Sequence, residues 1–290
     1  MTVTEATLIP DVLSFFGLGP AAHVAAAGFG ISNHNYMVDT EQGEYVVKFL
    51  VNQAPEAIEN DVAIQRQLGG AGIRAPGYLQ DAEGRFLYRH DVMTAVLSRK
   101  LDGMPPRHMS PALAADIGQH LALFHTSVQS LPYSNASGPM NPSVAVVDSE
   151  PARRLPDQPL PRGIIHGDLH SGNVLVDPHD PDRVVAMLDF EEAGENLYLL
   201  DLAVTLMDVG FPRGSDRIDP YQVRAGKRGY ETVRPLTEQE EVWLPRAIRY
   251  ASEAWINWFL ANGYERYARQ HQRRYDSFEA VIGDHFALWV

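Results

Sequence analysis

The stretch GIIHGDLHSGNVLVDP, residues 163–178, sets His166, Asp168, His170 and Asn173 between two short apolar runs. Three chemistries compete for such a set. His166, Asp168 and His170 alternate, so on a strand they would share one face, as metal ligands can. Asp and Asn are also ordinary turn residues, because their side chains bond to nearby backbone. The third chemistry is phosphoryl transfer, which is mostly positioning and charge neutralisation. It needs a carboxylate beside the acceptor hydroxyl, oxygen ligands for magnesium and a cation on the nucleotide phosphates.

The phosphoryl-transfer reading uses more of the chain than its rivals. Gly167 and the polar HSGN predict that the strand ends near Ile165, which breaks up the shared metal face. A turn alone does not require two close histidines. Asp168 can be the carboxylate, acting as base or hydroxyl-orienting group. Asn173, at the start of the next strand, offers an amide oxygen to a hard cation. Asp189 closes VVAMLDF on the partner strand of a hairpin and can reach the same ion. Lys48 interrupts the apolar strand YVVKFL, so it is either edge-exposed or paired across a cleft; nucleotide phosphates would give it that partner.

These residues need elements to hold them. Residues 1–97 read as strand-rich with one helix. FGISNHNYMVDT and GEYVVKFLV form a hairpin about the Asp39–Gly43 turn, and PEAIENDVAIQRQLGGAG carries helical spacing that stops at Gly69 and Gly70. RFLYRHDVMTAVLSRKL reads as two further short strands. From Ser110 the period becomes helical, with a Ser N-cap and Pro in the first turn. Residues 132–161 read as a long connection, NVLVDPHDPDRVVAMLDF as a second hairpin, and 197–290 as mostly helical with a break near Pro212–Pro220. The expected division is an N-terminal lobe at 1–97, a connection at 98–106 and a C-terminal lobe at 107–290. Two lobes imply a cleft, a usual place for a ligand.

Composition narrows the function classes. The 290 residues carry 24 basic and 37 acidic side chains, a formal net charge of −13, and no run of basic residues longer than a pair such as Arg273-Arg274. That balance repels nucleic acid phosphates. There is no cysteine, which removes disulfides, thiolate metal sites and cysteine nucleophiles and fits a cytoplasmic setting. The chain lacks a long apolar run or a secretory start, so no membrane association is expected.

H-G-D-x-x-x-x-N, an apolar strand and D-F together resemble the signature of the aminoglycoside phosphotransferase and choline kinase group, whose fold is bilobal and protein-kinase-like. More narrowly, the chain resembles the homoserine kinases built on that fold, over residues 20–260. GISNHNYMVDTEQGEYVVKFL resembles their nucleotide-loop hairpin and AVLSRKLDGMPP their lobe connection. LDFEEAGENLYLLDLAVTLMD is similar to their metal-binding segment and following helix, and AGKRGYETVRPLTEQEEVWLP to their C-terminal helical entry.

The resemblance implies an α+β fold, with a small β-rich N-terminal lobe and a larger, mainly helical C-terminal lobe. It implies ATP and magnesium, Asp168 as catalytic carboxylate, and Asn173 and Asp189 as metal ligands. Lys48 would meet the α- and β-phosphates, held by a helix carboxylate: Asp61 by position, with Glu59 and Glu56 as alternatives. Gly28, Gly30 and Ser32 belong to a loop folding over the phosphates. The backbone of Ser98–Leu101, including Arg99 and Leu101, would meet adenine. His166 becomes a buried support, and Asp201 anchors the catalytic loop, against a surface Asp as rival. His170 either contacts substrate or caps the loop.

A small-molecule acceptor with a hydroxyl is expected, homoserine first and an aminoglycoside or other antibiotic as alternative, in a monomer or homodimer. Glu191, Glu192, Asn196, Arg213 and Arg224 are candidates for its charged groups. Trp255, Trp258 and Phe259 read as core before they read as pocket. Two further readings stay open: a catalytically inactive nucleotide-binding regulator, and a hydrolase with a transition metal on His166, Asp168 and His170.

Overall fold

A computed structural model describes residues 4–27, 33–51, 57–91, 93–132, 138–141 and 145–282. The chain divides into two compact units, Met1–Asp102 and Gly103–Val290. The division falls inside 98–106, although Ser98 and Arg99 end a strand of the first unit rather than beginning a linker.

The first unit is a five-stranded antiparallel sheet between two helices. Helix α1 (Glu5–Phe15) precedes strands β1 (His23–Ala26), β2 (His34–Thr40) and β3 (Gly43–Leu50). Helix α2 (Ile58–Gly70) and strands β4 (Tyr88–His90) and β5 (Met93–Arg99) follow, and the sheet order is β1-β2-β3-β5-β4. Alternation along β3 separates two cores. Tyr45, Val47 and Phe49 pack with Leu8, Ile9, Val12 and Leu13 of α1. Leu50 and Val96 pack with Ile58 and Val62 of α2 on the other face. Both faces are covered, which explains the nearly continuous apolar run of YVVKFL. The expectation of one helix here is corrected to two. Pro10 inside α1 removes a backbone donor, and burial of four apolar side chains on the sheet outweighs that local signal.

The second unit is mainly helical. Helix α3 (Pro111–Ser127) begins at Ser110, whose hydroxyl accepts from Leu113 N–H at 3.0 Å, as its sequence signal predicts. After the one-turn helix α4 (Glu150–Arg153), strand β6 (Arg162–Ile165) leads into the polar loop and β7 (Val174–Val176) leaves it. Strand β8 (Val184–Met187) pairs antiparallel with β7, and β9 (Gly194–Leu197) with β6. Helices α5 (Tyr198–Val209), α6 (Pro220–Glu231), α7 (Glu238–Ala261) and α8 (Glu265–Val281) complete the unit. Strand β9 is an element that the sequence pattern does not predict. GENL has little strand propensity, and its pairing with β6 is what makes it a strand.

Helices α3 and α6 approach closely because glycine faces backbone between them. A Cβ on Gly118 would lie 2.0 Å from the Gly226 carbonyl oxygen, and one on Gly229 would lie 1.9 Å from that of Ala115. No helix among the described residues is long and apolar enough to cross a membrane.

Candidate active site

Strand β6 ends at Ile165, and the chain then turns through His166–Asn173 before β7 starts. The turn is possible because Gly167 adopts φ +84° and lies under the backbone of Glu192; a Cβ there would sit 2.7 Å from the Glu192 carbonyl oxygen. The loop hangs from helix α5. Asp201 is fully buried, and its carboxylate accepts from His166 N–H at 2.7 Å and Gly167 N–H at 2.9 Å. A buried carboxylate needs such partners, and this environment contradicts a surface Asp. Two more α5 side chains hold the loop. Thr205 Oγ1 donates to the Leu169 carbonyl at 2.9 Å, and Asp208 accepts from Ser171 N–H at 2.6 Å.

His166 is wholly buried between Phe124 and Phe190, and its Nε2 donates to the Leu188 carbonyl at 3.0 Å. Burial lowers its pKa, so the ring stays neutral. A ring so placed cannot share a metal with Asp168 and His170. Among the described residues no group of three or more His, Asp or Glu could hold a metal ion. His170 caps the turn: its Nδ1 accepts from Gly172 N–H at 2.9 Å, while Nε2 stands 3.6 Å from Asp168 Oδ2.

Asn173 spends its amide NH₂ on the Asp168 carbonyl at 2.9 Å, so its amide oxygen is the atom that can face a cation. Leu188 N–H donates to the Asn173 carbonyl at 2.8 Å, which carries the hairpin to the residue before Asp189. Asp189 has φ +62°, a left-handed conformation that Asp enters more readily than most residues. Phe190 next to it is buried and stacks on Phe124 with ring centroids 6.0 Å apart. The buried ring holds the strained residue, as surrounding structure must.

Asp168 keeps 27% of its side chain accessible. Burial by the surrounding loop pushes its carboxyl up to about 7; His170 opposes the shift, while Asp189, Glu192 and Asp208 reinforce it. Acidic groups therefore converge on this loop, a field that suits a divalent cation.

Lys48 and Asp61 are the formally charged residues in the buried set of the first unit, at 8% and 2% exposure, and each has an interaction partner. Lys48 pairs in register with Val96 and alternates with Leu50, so it shares the sheet face that packs on α2. Glu59 is exposed on α2, and Glu56, Gly28, Gly30 and Ser32 lie outside the described residues. Arg99 is exposed with its guanidinium 5.3 Å from the Tyr45 ring centroid, and Leu101 is half-buried just past β5.

The candidates for the acceptor site separate. Asn196 is buried and donates to the Met140 carbonyl at 2.5 Å, and Arg213 donates to the Pro106 carbonyl at 2.5 Å. Asn196 is thereby committed to structure, whereas Arg213 is exposed and keeps further N–H donors. Glu192 packs its carboxylate on Gly138, while Glu191 is half-buried and Arg224 also keeps a partner. Phe259 is core. Trp255 and Trp258 are half-buried and form an aromatic group with Phe259 and His271.

Sequence reasoning missed His125, whose Nε2 lies 2.8 Å from Asp201. Its signal was a histidine on the apolar face of α3. It also missed His271 and Arg274 of α8. Burial lowers the His271 pKa to about 4, and Arg274, Asp208 and His170 all act on that ring, so α8 adjoins the loop.

A family model described as the phosphotransferase enzyme family matches residues 23–145 and 136–236. A homoserine kinase of Polaromonas naphthalenivorans (strain CJ2) is 30% identical over 259 residues, covering 82% of this chain and 81% of the relative. A homoserine kinase of Methylobacillus flagellatus is 30% identical over 258 residues, covering 83% and 80%. Among solved structures, an amicoumacin kinase complexed with AMP-PNP and Ca²⁺ matches with TM-score 0.75 at 14% identity, covering 96% of this chain and 94% of that one. A microcompartment-associated aminopropanol kinase matches with TM-score 0.73 at 18% identity, covering 96% and 99%. These structural likenesses establish the fold: α+β and protein-kinase-like, with an antiparallel-sheet first unit and a mainly helical second unit.

Proposed function

This chain belongs to the phosphotransferase enzyme family, and from that premise we propose that it is an ATP- and magnesium-dependent kinase of the homoserine hydroxyl. One observation carries the chemistry. Asp168 and Asn173 share a turn suspended from Asp201, and the hairpin register brings the segment before Asp189 onto Asn173. The homoserine kinase relatives support the choice of acceptor.

Asn173 and Asp189 would hold magnesium, which supplies neutralisation of the β- and γ-phosphate oxygens. Asp168 orients the acceptor O–H and takes its proton as that oxygen bonds to the γ-phosphorus. The bond from phosphorus to the β–γ bridging oxygen breaks, and ADP leaves with the electron pair. A carboxyl raised toward neutral pH is a stronger base than an ordinary one. Lys48 serves the α- and β-phosphates with Asp61 as its counter-charge; both are buried, and Lys48 faces α2. Gly28, Gly30 and Ser32 would cover the phosphates, and the backbone around Arg99 and Leu101 would receive adenine. The enzyme would act in the cytoplasm as a monomer or homodimer.

Homoserine carries a carboxylate and an ammonium group. Arg274 is the cation assigned to the carboxylate. It adjoins His271, with Nη1 3.9 Å from Asp208, Nε 3.9 Å from Asp216 and its guanidinium 5.0 Å from the Phe211 ring centroid. A coupled ADP-release screen over hydroxy amino acids, amino alcohols, sugars and aminoglycosides tests the whole reading. Homoserine should give the highest kcat/KM, and an amino alcohol lacking its carboxylate should lose at least about tenfold. Preference for a sugar or aminoglycoside would overturn the acceptor, and no ADP release with any acceptor would overturn the kinase.

A further inference from the structure

The Asp201–His125 contact is one link of a longer chain. His125 Nδ1 lies 2.8 Å from Tyr230 Oη on α6. Arg234 Nη1 donates to Tyr230 Oη at 3.1 Å, and its Nη2 donates to Glu240 Oε1 at 2.8 Å. Glu240 Oε2 in turn accepts from Thr237 N–H at 2.9 Å and from its hydroxyl at 3.1 Å, closing the cap at the start of α7. Asp201, His125, Tyr230 and Glu240 are all fully buried, and Arg234 is 13% exposed.

Donor chemistry gives this chain one direction. A neutral imidazole donates from one nitrogen and accepts at the other. Burial keeps His125 neutral. The Asp201 carboxylate accepts, so Nε2 carries the proton and Nδ1 must accept. Among the described residues the Tyr230 O–H is the group placed to supply that proton donor, and burial raises the phenol pKa so that it keeps its hydrogen. Tyr230 then accepts from Arg234, which cannot do otherwise than donate. Donors therefore run from Arg234 to Tyr230 to His125 to Asp201, whose carboxylate grips two amides of the loop. Such aligned bonds polarise one another.

We propose that Tyr230, Arg234 and Glu240 are positioning residues for the loop that carries Asp168, acting through His125 and Asp201. This inference rests on the reading of that loop as catalytic. Packing alone does not require the arrangement: phenylalanine would fill the volume of Tyr230, and an ion pair is a costly way to fill a core. The close α3–α6 approach at Gly118 and Gly229 is what lets Tyr230 reach His125. Without the hydroxyl, Nδ1 of His125 and Nη1 of Arg234 both lose a partner. Nδ1 is then a buried acceptor without a donor, the ring keeps one of its two anchors, and the Nε2–H bond that orients the carboxylate holding His166 and Gly167 is held less firmly.

The test uses Tyr230→Phe and Glu240→Gln in the full chain, with kinetics and amide exchange measured on each. Tyr230→Phe should lower kcat about tenfold or more through misplacement of Asp168, with KM for ATP and acceptor within about twofold. Exchange at His166 and Gly167 should accelerate about tenfold while the β7–β8 hairpin is unchanged. Glu240→Gln should give the same pattern more weakly. Unchanged kcat, or exchange that accelerates equally throughout the unit, would overturn the proposal. Should neither variant fold, nitrogen NMR of the unmodified protein decides: His125 must carry its proton on Nε2, and the opposite tautomer overturns the wiring. Exchange and tautomer need no acceptor, so a failed acceptor screen would count against the function without touching this inference.

Discussion

Lys48 places a full positive charge on a central strand with 8% of its surface exposed. Burying an ammonium group is unfavourable unless a counter-charge and a ligand share it. Lys48→Met keeps the stem's packing and removes the charge. The expected result is a rise of about tenfold or more in KM for ATP, read by ADP release at saturating acceptor, and an unchanged KM would show that the lysine has no part in nucleotide binding. The placement of Asp168, Asn173 and Asp189 was legible because their spacing lies within one loop and hairpin. His125 and Tyr230 were not legible in the same way. They are 105 residues apart and meet only when α3 and α6 pack, and each reads in sequence as a residue on the apolar face of its helix. Asp201 had ambiguous periodicity, and only the resemblance pointed to its backbone partners.

Elements decide how close those residues come. Gly229 abuts the Ala115 carbonyl, so a methyl group there has no room without moving one helix. Gly229→Ala should lower stability by about 2 kcal/mol or more through overpacking, seen as a drop in the thermal midpoint. It should also lower kcat, because Tyr230 is the next residue. An unaltered midpoint would mean that the helices pack more loosely than described. The longer elements followed from period and caps: Ser110 starts α3, and the two hairpins lie where alternation and turn residues put them. Helix α1 and strand β9 did not, since Pro10 contradicts a helix and GENL carries no strand pattern until β6 pairs with it. Both depend on tertiary partners that no local window contains.

Across the whole molecule, buried histidines link folding to pH. Burial, with Arg274 beside it, holds His271 down at about 4 against an ordinary 6.5. Between those values the unfolded chain binds a proton that the folded chain refuses, so this stability is complete above pH 6.5 and is lost as pH falls toward 4. Asp168, raised to about 7, works in the opposite sense, because the folded state keeps a proton that the unfolded state has released. The difference between two proteins isolates the histidine. Urea midpoints measured between about pH 7 and 5 should fall more for the unmodified chain than for His271→Gln; an equal or smaller fall would contradict the burial of that ring. The proposed function rests on Asp168. Substituting Asn for Asp168 removes the proton acceptor and leaves Asn173, Asp189 and Lys48 in place. Steady-state ADP release with homoserine, paired with calorimetric titration of ATP analogue and magnesium, measures both halves of that statement. Turnover should fall about a hundredfold or more with nucleotide affinity preserved. Full turnover in Asp168→Asn would contradict it.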